Sequence, residues 1–271
     1  MRTIMISIII PTKDEQKLLP RLLDSICAQT FKDFEIIVAD ANSRDDTVKI
    51  AQSYGCKVVK GGMPGVGRNR GAAVAQGDFL VFFDADVIIP DDFLEKAFSE
   101  FQERYLEVAT CSYLPDSEEY RSWFDLYNAY AKAVQHVRPC SGGAFMIMTR
   151  RIFDRIGGFD ESLKLAEDHN LVKRASSISK FRILDGVSLT LSVRRFDKEG
   201  IIRFITRAIR SEFYRSFIGE IRDDIFDYEM GNYDEEREKE KKRIRELAEK
   251  IKNKFEKEKK RKRKKRARKS I

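Results

Sequence analysis

No apolar run in this 271-residue chain approaches the ~20 residues needed to cross a bilayer as a helix. The longest, residues 4–10 (IMISIII) and 79–83 (FLVFF), have the length of buried strands. A secretory signal is also missing from the expected pattern: residues 4–10 run straight into Pro11-Thr12-Lys13-Asp14-Glu15 with no small-residue cleavage site. The four cysteines, Cys27, Cys56, Cys111 and Cys140, include no C-x-x-C pair. That argues against a zinc ribbon and, without a signal, for reduced thiols in the cytosol. A disulfide scaffold and an integral membrane protein are both excluded by these expectations.

Charge is plentiful but unevenly placed. Residues 234–271 carry 20 basic and 9 acidic side chains, a net of +11, which leaves residues 1–233 with a net of −3. The basic character of the chain therefore belongs to its tail, and a nucleic-acid reading drawn from overall charge mistakes where the charge sits.

The body alternates strand and helix patterns. Residues 4–10 read as a central strand buried on both faces, with a helix at 16–28, a strand at 34–39, and a helix at 45–54. A strand at 56–60, a helix at 66–75 and a strand at 79–83 follow. Short links between alternating elements imply an α/β, doubly wound, mostly parallel sheet. In such sheets ligands bind at the carboxyl ends of the strands. Three of those ends carry acid: Asp14-Glu15, Asp40 with Asp45-Asp46, and Asp84-Ala85-Asp86. Asp84 and Asp86 are two apart, so on extended backbone they share a face. Such a pair can hold a hard divalent cation that keeps positions open for phosphate oxygens. A solvated turn or a helix cap is the competing reading of each acidic segment.

Six segments in this order resemble a family 2 glycosyltransferase of the GT-A, Rossmann-like nucleotide-diphosphosugar transferase fold. They are residues 7–15 (SIIIPTKDE), 38–47 (VADANSRDDT), 67–71 (GRNRG), 77–86 (GDFLVFFDAD), 156–161 (IGGFDE) and 166–168 (AED). The match spans residues 4–195 and departs from the usual pattern at Ala41, where a second Asp is common, and at Asn42, where Gly is common. The resemblance implies nucleotide contacts by Pro11, Thr12, Glu15, Asp40, Arg68, Asp84 and Ala85, with Asp40 reading the base and Arg68 closing over it. It implies Mg²⁺ or Mn²⁺ on Asp86 and Asp84, and a catalytic base at Asp168 beside Glu167. The expected reaction is metal-dependent, inverting transfer of a sugar from a UDP- or GDP-type donor to an acceptor hydroxyl on a glycan or a lipid-linked carrier. Acidic residues at a helix start also have a plain capping explanation.

The expected organisation is a catalytic domain at 1–196, with a nucleotide half at 1–95 and an acceptor half at 96–196. A helical extension at 197–233 and a basic tail at 234–271 follow. Ile201, Ile205, Ile209, Phe213 and Phe217 recur every four residues among Arg203, Arg207, Arg210 and Arg215. Such an amphipathic helix packs on its own domain or, with the tail, lies on an anionic membrane through residues 201–271. Localisation is then cytoplasmic, with or without peripheral attachment to the inner membrane face. Trp123, Phe124, Tyr127 and Tyr130 read as core of a further helix rather than a sugar-stacking platform, and Arg194-Arg195 as solvated rather than as a diphosphate contact. The rival functions are a catalytically silent scaffold of the same fold and a nucleic-acid- or membrane-binding protein acting through its tail. A nucleotidyltransferase is disfavoured because Pro11-Thr12-Lys13-Asp14-Glu15 is not a Gly-rich basic phosphate loop.

Overall fold

A computed structural model describes residues 5–223, and the basic tail expected at 234–271 lies outside the described residues. In chain order the elements are β1 (Ile6–Thr12), α1 (Leu19–Cys27), β2 (Phe34–Asp40), α2 (Thr47–Ser53), β3 (Lys57–Lys60), α3 (Pro64–Val74) and β4 (Phe79–Phe83). There follow β5 (Val87–Ile88), α4 (Phe93–Glu103), β6 (Val108–Pro115), α5 (Arg121–Val134), β7 (Phe145–Thr149), α6 (Arg150–Arg155) and α7 (Glu167–Ser176). The last are β8 (Phe181–Leu191), α8 (Arg194–Glu199) and α9 (Ile201–Phe217).

The strands form one sheet in the order β3-β2-β1-β4-β7-β6-β8-β5. β1 to β4 are parallel, β7 enters antiparallel between β4 and β6, and β6 and β8 are parallel again. The mostly parallel α/β sheet expected from the sequence is therefore present.

The continuous apolar strands have partners on both faces. Ile6, Ile8, Ile10, Val81, Phe83, Phe145 and Ile147 pack with α1 and α4 on one side. Ile9, Leu80, Phe82, Met146 and Met148 pack with α3, α6 and α7 on the other. Helix α3 comes down hard on β1: a Cβ on Gly71 would lie 2.4 Å from Ile9 Cγ2. Only glycine permits that approach, and it carries Arg68, one turn earlier, to the carboxyl end of the sheet.

Because β4, β6 and β8 share a direction with β1, their carboxyl ends open on the same edge. There the chain from β8 meets the chain from β4: Val87 of β5 pairs with Leu191, and the Ser192 amide donates to Asp86 O at 3.0 Å. That pairing delivers the Arg194-Arg195 segment to the acidic strand ends.

The core expectation for the four aromatics of α5 holds for Phe124 and, at the edge of the core, for Tyr127. Tyr127 is half-buried and stacks on Tyr113, while Trp123 and Tyr130 are exposed.

Candidate functional site

Two adjoining loops build the first wall. Thr12 Oγ1 donates to Asp40 Oδ1 at 3.2 Å, and Ser43 binds the same carboxylate through its amide at 2.9 Å and its hydroxyl at 2.5 Å. The Asp14 amide donates to Ser43 Oγ at 2.9 Å, and the Glu15 amide to Thr47 Oγ1 at 2.8 Å. Asn42 has φ 62° and Asp14 φ 53°, left-handed conformations that Asn and Asp tolerate better than most side chains. The departure at Asn42 is thus conformationally mild: the backbone that favours glycine is kept. Pro11, Thr12, Glu15 and Asp40 lie together here, each buried.

Asp84 and Asp86 leave the end of β4 toward different arginines. Asp84 Oδ1 accepts from Arg68 Nη2 at 2.6 Å, and Asp86 Oδ2 lies 3.4 Å from Arg194 Nη2. Ala85 turns its methyl into the core between them. Burial pushes the Asp84 carboxyl up to about 6; the Asp86 charge adds to the rise, and Arg68 and Arg195 oppose it.

Arg68 is 2% exposed and works in several directions at once. Besides Asp84, it donates through Nη1 to Glu167 Oε1 at 2.7 Å and reaches Gly143 O at 3.4 Å. Its guanidinium stands 5.4 Å over the Phe159 ring. Burial works against the charge, but Asp84, Glu167 and Asp168 together outweigh it and hold the pKa above its ordinary value.

Arg194, read from the sequence as solvated, is largely buried in the site. It donates to Glu15 Oε1 at 2.5 Å while also facing Asp86, so it ties the end of β1 to the end of β4. Burial drives the Glu15 carboxyl up to about 7, against the pull of Arg194. Glu15 Oε2 is buried and has no hydrogen-bond partner among the described residues. The missed signal was positional. Arg194 follows a strand whose carboxyl end belongs to the same edge, but β8 with its internal Asp185-Gly186 does not read as one strand.

The opposite wall is the start of α7. Ala166 adopts φ 60°, so the chain turns sharply before Glu167 and Asp168 begin the helix. Three of the four non-glycine residues with positive φ among the described residues, Asp14, Asn42 and Ala166, therefore lie in loops of this site. Strain of that kind persists where surrounding structure enforces it. Asp168 is 9% exposed and lies against the 140–143 loop: a Cβ on Gly143, itself at φ 77°, would stand 2.9 Å from Asp168 Oδ2. The structure thus brings Glu167 to Asp84 through Arg68, and Asp168 to Gly143 alongside.

The donors present suit a hard cation. Asp84 and Asp86 offer carboxylate oxygens, and the partnerless Glu15 Oε2 is a buried acceptor within electrostatic reach of Asp86. No group of three or more His, Cys, Asp or Glu that could hold a metal ion occurs among the described residues, so a cation on the two aspartates would complete its shell from solvent or a bound ligand.

A family model described as glycosyl transferase family 2 matches residues 7–157. Poly(ribitol-phosphate) beta-N-acetylglucosaminyltransferase TarS of Staphylococcus aureus is 32% identical over 112 residues, 38% of this chain and 20% of that protein. The 4,4'-diaponeurosporenoate glycosyltransferase of Staphylococcus haemolyticus is 27% identical over 223 residues, 73% of this chain and 56% of that protein. The chain thus spans from a fifth to about half the length of these curated relatives. Among solved structures, residues 1–349 of S. aureus TarS in complex with UDP-GlcNAc align with TM-score 0.58 and 23% identity, over 79% of this chain and 73% of that one. The mannosyltransferase PcManGT of Pyrobaculum calidifontis, in complex with GDP-Man and Mn²⁺, aligns with TM-score 0.60 and 22% identity, over 76% and 64%. At that identity the structural likeness establishes the GT-A fold.

Proposed function

This chain belongs to glycosyl transferase family 2, and from that premise we propose that it moves a sugar from a UDP- or GDP-type nucleotide-diphosphate donor to an acceptor hydroxyl, with inversion at the anomeric carbon. The observation that carries the reading is the Arg68 bridge. One buried guanidinium joins Asp84, at the donor-side strand end, to Glu167, at the head of the opposite helix.

In this reading residues 1–95 hold the nucleotide and 96–196 the acceptor. Pro11, Thr12, Glu15 and Asp40 line the nucleoside pocket, with Asp40 held for base recognition by Thr12 and Ser43. Asp84 and Asp86 would hold Mg²⁺ or Mn²⁺, which supplies Lewis-acid neutralisation of the departing diphosphate. Arg68, which the resemblance sets over the base, is 2% exposed here and in this reading keeps Asp84 and Glu167 in place. Asp168 accepts the proton of the attacking hydroxyl, as a positioned carboxylate does in general-base catalysis. A separate carboxylate for that task leaves Asp84 and Asp86 to the donor. The two solved relatives, complexed with UDP-GlcNAc and GDP-Man, support the donor class. The acceptor is a glycan or a lipid-linked carrier, and the working place the cytoplasm or the inner membrane face; no described helix is long and apolar enough to cross a membrane.

The test is thermal stabilisation by UDP, GDP and their sugar conjugates, with and without Mn²⁺, on the wild type and Asp86→Ala. A ligand at 100 times its dissociation constant adds ~2.7 kcal/mol of stability. Metal-dependent stabilisation by one base, lost in Asp86→Ala, is the expected result; indifference to every nucleotide contradicts the reading. Inversion is tested by the anomeric configuration of the product.

A further inference from the structure

Helix α9 presents its apolar stripe to solvent. Ile209, Phe213 and Phe217, spaced four apart, are 64%, 64% and 74% exposed, and Ile218, just past the helix, is exposed too. The Phe213 and Phe217 rings pack on each other, 4.5 Å between centroids. Toward the body, the first turn is apolar, with Ile201 on the core and Phe204 on Phe196, and the later turns are polar: Ser211 is buried, and Arg215 is held by Glu212 and Glu220. A helix serving only its own core has the reverse arrangement. The reading in which this stripe packs on the catalytic domain holds at its start, where Ile201 meets the core, and is corrected for Ile209, Phe213 and Phe217.

Helix α5 is linked to α9 and exposes apolar side chains of its own. Phe196 packs on Phe124 of α5 and Phe204 of α9, and Arg138, just past α5, bonds Glu212 and Ser216. The two helices are thus tied near their starts and again near their ends, running in one direction. Trp123, Leu126 and Tyr130 of α5 are exposed, as is Val137 beyond it.

We propose that this face lies on an anionic lipid bilayer. Its charge selects that occupant. Helix α9 carries four arginines, Arg203, Arg207, Arg210 and Arg215, against one acidic residue, Glu212, and Arg203 is exposed. Residues 234–271 add a net charge of +11 to the same chain. A second copy would set arginine against arginine. A bilayer takes Ile and Phe into its interfacial region and meets arginines with lipid phosphates.

The surface also borders the acceptor side of the site. Glu220, just beyond α9, hydrogen-bonds Asn170, two residues from Asp168. Arg138 precedes the 140–143 loop that touches Asp168. Docking this face would bring the base close to a membrane-anchored acceptor. Only that last step rests on the proposed function, since the docking test uses no nucleotide and the nucleotide panel uses no lipid.

The experiment is flotation of the full chain with phosphatidylcholine vesicles, with and without phosphatidylglycerol. Wild type should float only with the anionic vesicles. Phe213→Ser with Phe217→Ser should lower partitioning by at least roughly tenfold. Arg203→Ser should cost roughly fivefold at low salt. These side chains are exposed, so melting temperatures should not move, and Trp123, the single tryptophan, should shift its emission to the blue on binding. Three outcomes overturn the proposal: no flotation of wild type, flotation of the Phe213/Phe217 variant equal to wild type, or a wild-type dimer that the same variant dissociates without any vesicle binding.

Discussion

Arg68 and Glu167 meet at 2.7 Å although 99 positions separate them in the chain. The contact fixes the distance between the carboxyl end of β4 and the helix that bears Asp168. It depends on Gly71 letting α3 settle on β1, and on the left-handed turn at Ala166 that starts α7 where it does.

Removing the bridge should therefore cost stability as well as activity. Arg68→Met leaves Asp84 and Glu167 uncompensated, and breaking a buried pair in this way costs about 3–5 kcal/mol, less here because Asp84 is partly exposed. Arg68→Lys keeps the charge but not the fork that reaches two carboxylates. Urea unfolding should rank wild type above Arg68→Lys, and Arg68→Lys above Arg68→Met.

Position 42 tests the conformational account of the second loop. Asn42→Gly should change stability by less than about 1 kcal/mol, because both residues accept φ near 60°. Asn42→Val should cost about 1–3 kcal/mol, since a β-branched residue is strained there. Equal midpoints for the two variants would contradict it.

Glu15 should set a pH dependence in the ligand-free protein. Its folded pKa, raised from 4.5 to about 7, makes burial of the protonated form harmless and of the ionised form costly. Stability from this group is thus present below about pH 4.5 and is lost as pH rises toward 7. Glu15→Gln removes the titration, so melting scans between pH 5 and 8 should show the variant gaining on wild type, on the order of 2 kcal/mol at most. A constant difference across that range would refute the assignment.

Gly143 should prove irreplaceable for turnover. Gly143→Ala places a methyl 2.9 Å from Asp168 Oδ2 on backbone at φ 77°. Donor-induced stabilisation should survive while sugar-nucleotide turnover falls by at least roughly tenfold, in line with the sensitivity of catalysis to small displacements.

Much of this was legible in residue order. The apolar residues 79–83 are a strand with those bounds, and each expected element from β1 to β4 is present within a few residues. Periodicity records which residues are apolar and how they repeat, and that suffices for strands buried on both faces. It does not record direction, so the antiparallel entry of β7 between β4 and β6 was not readable from Phe145–Thr149. Nor does it record which face the body accepts, hence the outward stripe of α9. Arg194 escaped for a third reason: adjacent arginines look alike whether solvated or buried, and only pairing of β5 with β8 brings this one to Asp86 and Glu15.

The central claim is that Asp168 acts on the acceptor while other residues hold the donor. Its most direct test compares Asp168→Asn with wild type in two assays: donor affinity by calorimetry, and release of nucleoside diphosphate from the sugar nucleotide. The account predicts affinity unchanged within about threefold and release lowered by at least ~100-fold, the scale of a missing general base. Release at the wild-type rate, or loss of donor binding in step with it, would contradict the account.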